Sequence, residues 1–116
     1  MNDTIISIAR DFSRTPAGRY PKDGPFNGQR FREQFLEPAI AQALAKKGKV
    51  IVEFSDADSY SSSFLEEAFG GLVRDKKFNR DQIQSVLILA TSDPVYSMYL
   101  ADAKDYLERE LRRVAA

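Results

Sequence analysis

The run "KVIVEFSDADSYSSSFLEEAFGGL", Lys49 to Leu72, decides the fold. Its first six residues, Lys49–Phe54, are β-branched and nearly continuously apolar, the pattern of a strand covered on both faces. From about Phe64 to Lys77 the period changes. Leu65, Ala68, Phe69, Leu72 and Val73 recur at spacings of three and four, which makes an amphipathic helix. Between them lies a polar loop with Asp56, Asp58 and the consecutive serines Ser61, Ser62 and Ser63. Gly70 and Gly71 each weaken a helix by roughly 1 kcal/mol relative to alanine. Two adjacent glycines predict a close approach by another backbone, such as the sheet beneath.

The same alternation continues on both sides. "SVLILA", Ser85–Ala90, reads as a second buried strand, and Val50, Val52, Leu87 and Leu89 are expected to be almost fully buried. Asp93 and Pro94 open a last helix, with Tyr99, Ala103, Tyr106, Leu107 and Leu111 as its inner stripe and Arg109, Arg112 and Arg113 near its end. Upstream, Asn27 caps a helix over 28–47 that carries Phe31, Phe35, Ile40 and Leu44. Pro38 should kink or restart that helix, and Gly48 should end it. Thr4–Phe12 reads as the first strand, and a short partner around Arg19 and Tyr20 would make a hairpin. Strands alternating with helices predict an α/β domain spanning 1–116: a mainly parallel or mixed sheet of about four strands packed by three helices.

Composition bounds the function. The chain has 116 residues, enough for one core, and 43% of them are hydrophobic, as in globular domains. Seventeen basic residues balance seventeen acidic ones, which argues against nucleic acid as the main ligand. There is no cysteine and no histidine, so disulfides, thiolate or histidine metal sites and a Ser-His-Asp triad cannot be built. "MNDTIISIARDF" lacks the features of a signal peptide, and no apolar run approaches the ~20 residues of a membrane span. The expectation is a cytoplasmic domain with no membrane partner.

The serines admit three roles. Ser63 stands three residues before Glu66, the capping-box spacing, so it is the expected N-cap, with Ser62 its competitor. A nucleophile is disfavoured, because there is no G-x-S-x-G elbow and no histidine to activate it. A phosphorylation switch fits a serine at a helix N-terminus, where free amides meet an anion. Asp56, Asp58, Glu66 and Glu67 could bind a divalent cation, but they lack calcium-loop spacing, and no metal or other cofactor is expected. The loop "GRYPKDGPFNG" offers Arg19, Lys22, Asn27 and Gly28 as a possible ligand site, although it matches no phosphate-loop motif. Tyr96, Met98 and Tyr99 form a packing or partner-facing cluster.

"VIVEFSDADSYSSSFLEEAFGGL" resembles the central motif of STAS domains, the fold of anti-sigma factor antagonists. "TPAGRY", "NGQRFREQFLEPA" and "SSSFLEEAFGGL" are similar, more closely, to the STAS-like domain family of unknown function. The resemblance implies a non-catalytic regulatory domain of the bacterial cytoplasm. It places Ser63 at the phosphorylated position, with Ser62 before it, while Ser61 stands where the motif has aspartate and Phe64 where it has glycine. It implies an anti-sigma or histidine-kinase-like ATPase as partner, met by Asp56, Asp58, Ser61, Ser62, Ser63 and Phe64. The alternatives are a small-ligand or nucleotide-binding domain on the Arg19–Gly28 loop, or a non-catalytic subunit of a partner enzyme.

Overall fold

The computed structural model describes residues 2–115. Three strands, β1 (Thr4–Ser7), β2 (Val50–Glu53) and β3 (Leu87–Ala90), form one parallel sheet in the order β1-β2-β3. The register aligns Ile6 with Val52 and Val52 with Leu89 on one face, and Ile5 with Ile51 and Ile51 with Ile88 on the other. The sheet is therefore neither mixed nor about four strands wide.

Local hydrogen bonding removes the missing strand. After Ser7 the chain turns into a single π-helical segment, Ile8–Phe12, so the first strand is shorter than Thr4–Phe12. Ser7 Oγ accepts from Arg10 N at 3.1 Å, and Asp11 Oδ2 accepts from Ser7 N at 2.9 Å. Short polar side chains thus capture backbone groups that a ladder would need. The expected hairpin strand at Arg19 and Tyr20 fails for the same reason. Asp23 Oδ2 accepts from both of their N–H groups, at 3.0 and 3.1 Å, and Pro21–Asp23 forms a 3-10 turn.

The expected three helices become four plus that π-turn. Helix α1 covers 28–46: Gly28–Phe31, a π-turn over Arg32–Leu36, then Glu37–Lys46. Asn27 caps it as expected, its Oδ1 accepting from Arg30 N at 2.9 Å. Pro38 falls in the first turn of the restarted segment, where its missing N–H does no harm. Lys47, with φ 58°, makes the left-handed stop expected of Gly48. Helix α2 covers 62–74, again with a π-turn in the middle, Glu66–Gly70. Helix α3, Arg80–Val86, is an addition; it takes Ser85 and Val86 out of the expected strand. Helix α4 is Ser97–Ala115.

Both crossovers step the same way along the sheet. With the usual right-handed sense they place α1 and α2 on one face. The core lies there. Val50, Val52, Phe31, Phe54, Phe64, Phe69, Leu72 and Ala103 are fully buried, Leu89 nearly so and Leu87 half. No described element covers the other face, so Ile5 is 60% and Ile88 43% exposed. The expectation that β2 and β3 are covered on both faces is thus met on one only.

The glycine pair also works differently. A Cβ on Gly71 would lie 2.6 Å from an Arg32 guanidinium nitrogen, and one on Gly70 would run into the Glu66 carboxylate. Ionic side chains, not sheet backbone, fill that space. Close backbone approaches are instead at Gly48, where a Cβ would run into the Asn2 carbonyl, and at Gly28, where one would come 2.7 Å from Phe64 O. Gly28 is what lets α1 cross α2 near its start. Among the described residues no helix is long and apolar enough to cross a membrane.

Candidate functional site

The loops after β2 and β3 and the first turn of α2 meet at the carboxyl end of the sheet, the edge where open parallel sheets place their sites. The turn into α2 is held by Ser61. Its backbone is extended (φ −79°, ψ 148°), and its Oγ accepts from Phe64 N at 3.1 Å. A second donor, Gly18 N, reaches the same oxygen at 3.2 Å. Ser61 therefore caps the helix, and the expectation that Ser63 does so is corrected. The reason lies with Glu66. A capping box needs its carboxylate free to bend back, but Arg74 binds it with both terminal nitrogens, at 2.6 and 2.8 Å, and Arg19 binds it too. Ser62 is left exposed at the first helical position, and Ser63 is half-buried with its Oγ 3.3 Å from that of Ser61.

Phe64 belongs to the core rather than to a partner-facing surface. It is fully buried among Phe12, Phe31 and Tyr60, with ring centroids 6.0, 5.7 and 6.3 Å away. Burial on this scale removes it from any contact made without unfolding α2. Tyr60 is locked by its hydroxyl, which donates to Phe54 O at 2.6 Å, and burial holds its pKa well above the ordinary phenol value.

The acids at this corner divide into two kinds. Asp56 and Asp58 are exposed. Asp56 adopts φ 77°, a left-handed turn that aspartate tolerates. Asp58 accepts from Arg14 at 3.0 Å, and its N–H donates to Arg14 O at 2.8 Å, so the 13–28 loop is stitched to this one. Glu66 and Glu67, by contrast, turn away from the serines into a network behind them. Glu67 pairs with Arg32 at 2.7 Å and with Arg74 at 3.3 Å. Arg74 continues to Glu110 at 3.0 Å, and Arg32 to Glu37 and Asp75 at 3.5 and 3.4 Å. The Arg74 hydrogen bonds hold the Glu66 pKa below the usual carboxylate value against the opposing effect of burial, and Arg19 adds to them. Glu37 is pushed up by burial, although Lys77 binds it at 2.9 Å. The four acids do not converge, and the serine turn is less acidic than their sequence spacing predicts.

The π-turns explain the network. A π-turn inserts a residue into the helical repeat and re-aims the side chains around it. Those at Arg32–Leu36 and Glu66–Gly70 bring Arg32, Glu66 and Glu67 into the seam between α1 and α2, where Gly70 and Gly71 leave room for them.

The possible ligand loop is spent on structure. Arg19 pairs with Glu66, Asn27 and Gly28 are buried in the α1 cap, and Lys22 is exposed. The hollow beside it, about 280 Å³, is lined by Pro21, Gly24, Asn27, Arg30 and Glu33. On the far side of the serine corner, Tyr96 donates from its hydroxyl to Ala57 O at 2.7 Å, and Tyr99 packs edge-on to Tyr60 at 5.1 Å. These two anchor the start of α4, so Val95 and Met98 stand out, each 78% exposed. Met98 falls within the aromatic cluster of the sequence. Val95 and Arg14 do not; Val95 carries the one local signal, its place right after the helix-opening Asp93-Pro94.

The family model described as a STAS-like domain of unknown function (DUF4325) matches residues 27–96. Neither a curated protein nor a solved structure gives a significant match.

Proposed function

Because the chain belongs to the STAS-like domain family of unknown function, we propose that it is a non-catalytic regulatory module. It binds a partner protein through the corner formed by the Asp56–Ser59 loop, the exposed Ser62 and the start of α4. The observation that carries this reading is the pair Val95 and Met98, each 78% exposed at a helix start that Tyr96 and Tyr99 tie to Ala57 and Tyr60 of the polar loop. Large apolar side chains rimmed by polar ones mark interaction surfaces.

The partner that fits the STAS resemblance is an anti-sigma or histidine-kinase-like ATPase. Phosphorylation at Ser62 or Ser63 would switch the contact, and exposure favours Ser62 as acceptor. A phosphate there adds about two negative charges at pH 7. Its own helix tolerates them, because Glu66 and Glu67 are neutralised by arginines and the helix start favours anions. A partner seated on Val95 and Met98 would have to desolvate the dianion. The small-ligand or nucleotide reading draws less support, since Arg19 is committed to Glu66 and Asn27 to a helix cap. The remaining reading, a non-catalytic subunit of a partner enzyme, would use the same corner.

The test is mass spectrometry of the protein purified from its native host. Phosphoserine at 62 or 63 together with a co-purifying ATPase is the expected result. Unmodified serines with a bound nucleotide and no protein partner would overturn the proposal.

A further inference from the structure

We propose that the outer edge of β3 is a homodimer interface, in which two copies pair β3 with β3 antiparallel about a two-fold axis and so double the sheet. Both outer strands of this sheet have a free side, but they differ. In β1, Ser7 directs its N–H outward, and the Asp11 carboxylate closes it at 2.9 Å. In β3, "LILA", there is no charge, proline or bulge of the kind that normally blunts an edge.

The backbone defines the register. Phe54 N–H donates to Ala90 O, so Ile88 and Ala90 turn their backbone groups toward β2. Leu89 then turns its N–H and C=O outward, and so does the Leu87 C=O, while the Leu87 N–H is used on Ile83 O. An axis through Ile88 lets the Leu89 N–H of each copy donate to Leu87 O of the other. It also sets Ile88 against Ile88 as a close non-hydrogen-bonded pair, which joins the exposed Ile5–Ile51–Ile88 row to its symmetry mate.

The helical side of the edge is complementary to itself. A groove of about 270 Å³ runs along β3, with Ile83, Leu87, Leu89 and Leu107 as its apolar walls and Lys104 and Glu108 on its rim. Helix α4 returns antiparallel to β3, so the same axis lays α4 beside its mate with opposite direction. Lys104 and Glu108 lie one helical turn apart. The axis places Lys104 of each copy against Glu108 of the other, with Leu107 between them. Within the chain the ion pairs of α4 run Asp105–Arg109 and Glu110–Arg113, and among the described residues Lys104 and Glu108 have no ion-pair partner. Such reciprocal charge placement is what an isologous two-fold contact requires.

Sedimentation velocity from micromolar to millimolar concentration tests this. A monomer–dimer equilibrium is expected. Ile88→Lys, on the open face where the fold tolerates it, should weaken the dimer at least about tenfold with an unchanged thermal midpoint. Lys104→Glu should weaken it, and Lys104→Glu combined with Glu108→Lys should restore it. A monomer at every concentration, a dimer indifferent to these changes, or a monomer whose β3 edge takes a strand from a different protein would overturn the proposal.

Discussion

Replacing Ser61 by alanine should destabilise the fold far more than the same change at Ser63. Ser61 Oγ accepts two backbone N–H groups, Phe64 at 3.1 Å and Gly18 at 3.2 Å. Loss of a serine cap costs about 1 kcal/mol. Leaving the half-buried Gly18 N–H unpaired adds a second loss of about 1 kcal/mol. Ser61→Ala should therefore cost about 2 kcal/mol. With a urea slope of about 1–3 kcal/mol per molar, the midpoint falls by roughly 1 M. Ser63 lies inside the helix with only the Ser61 hydroxyl near its own, so Ser63→Ala should stay within about 0.5 kcal/mol of the parent. Paired urea titrations at neutral pH decide it. Equal losses at the two positions, or the larger loss at Ser63, would mean that the cap has been assigned to the wrong residue.

Gly28→Ala gains helix propensity of about 1 kcal/mol but drives a methyl to 2.7 Å from Phe64 O and 3.0 Å from Ala68 N. Backbone cannot step aside as a flexible side chain can, so a net loss of about 1–2 kcal/mol is expected in thermal melts; a gain would refute the close crossing of α1 and α2. Arg74→Met removes the partner that holds Glu66, with an expected loss of about 1–3 kcal/mol at pH 7, discounted for the partial exposure of Arg74. The Glu66 pKa is lowered in the fold, so its contribution is present above the unfolded carboxylate value and is lost as pH falls through the folded one. The gap between Arg74→Met and the parent should accordingly narrow on acidification; a gap constant down to pH 3 would contradict the ion pair.

Much of the fold is legible because its signals are local. The stripe Leu65, Ala68, Phe69, Leu72, Val73 marks α2, the β-branched run Val50–Val52 marks β2, and Asn27 marks the start of α1. What escapes depends on distant partners. The spacing of Ser63 and Glu66 satisfies a capping box, but Arg19, 47 residues away in the chain, and Arg74 take the carboxylate away. The π-turns carry no local signature, so the seam network of Arg32, Glu66 and Glu67 cannot be read from helical spacing. Whether Ile51 and Ile88 have neighbours on both sides depends on the order of the crossovers and not on the strands themselves. One signal is present and hidden: Asn79 and Gln82 form a reciprocal capping box for α3, but the apolar run behind it reads as strand from Ser85.

The proposed partner surface is tested most directly by calorimetric titration of a histidine-kinase-like ATPase from the same host with three proteins: the parent, Ser62→Glu and Met98→Asp. Both substitutions are at exposed positions, so melting temperatures should be nearly unchanged. Each should nevertheless weaken binding at least tenfold, about 1.4 kcal/mol, Met98→Asp by removing an apolar anchor and Ser62→Glu by placing a charge under the partner. Equal affinities for all three correctly folded proteins would contradict the assignment of this corner as the binding surface.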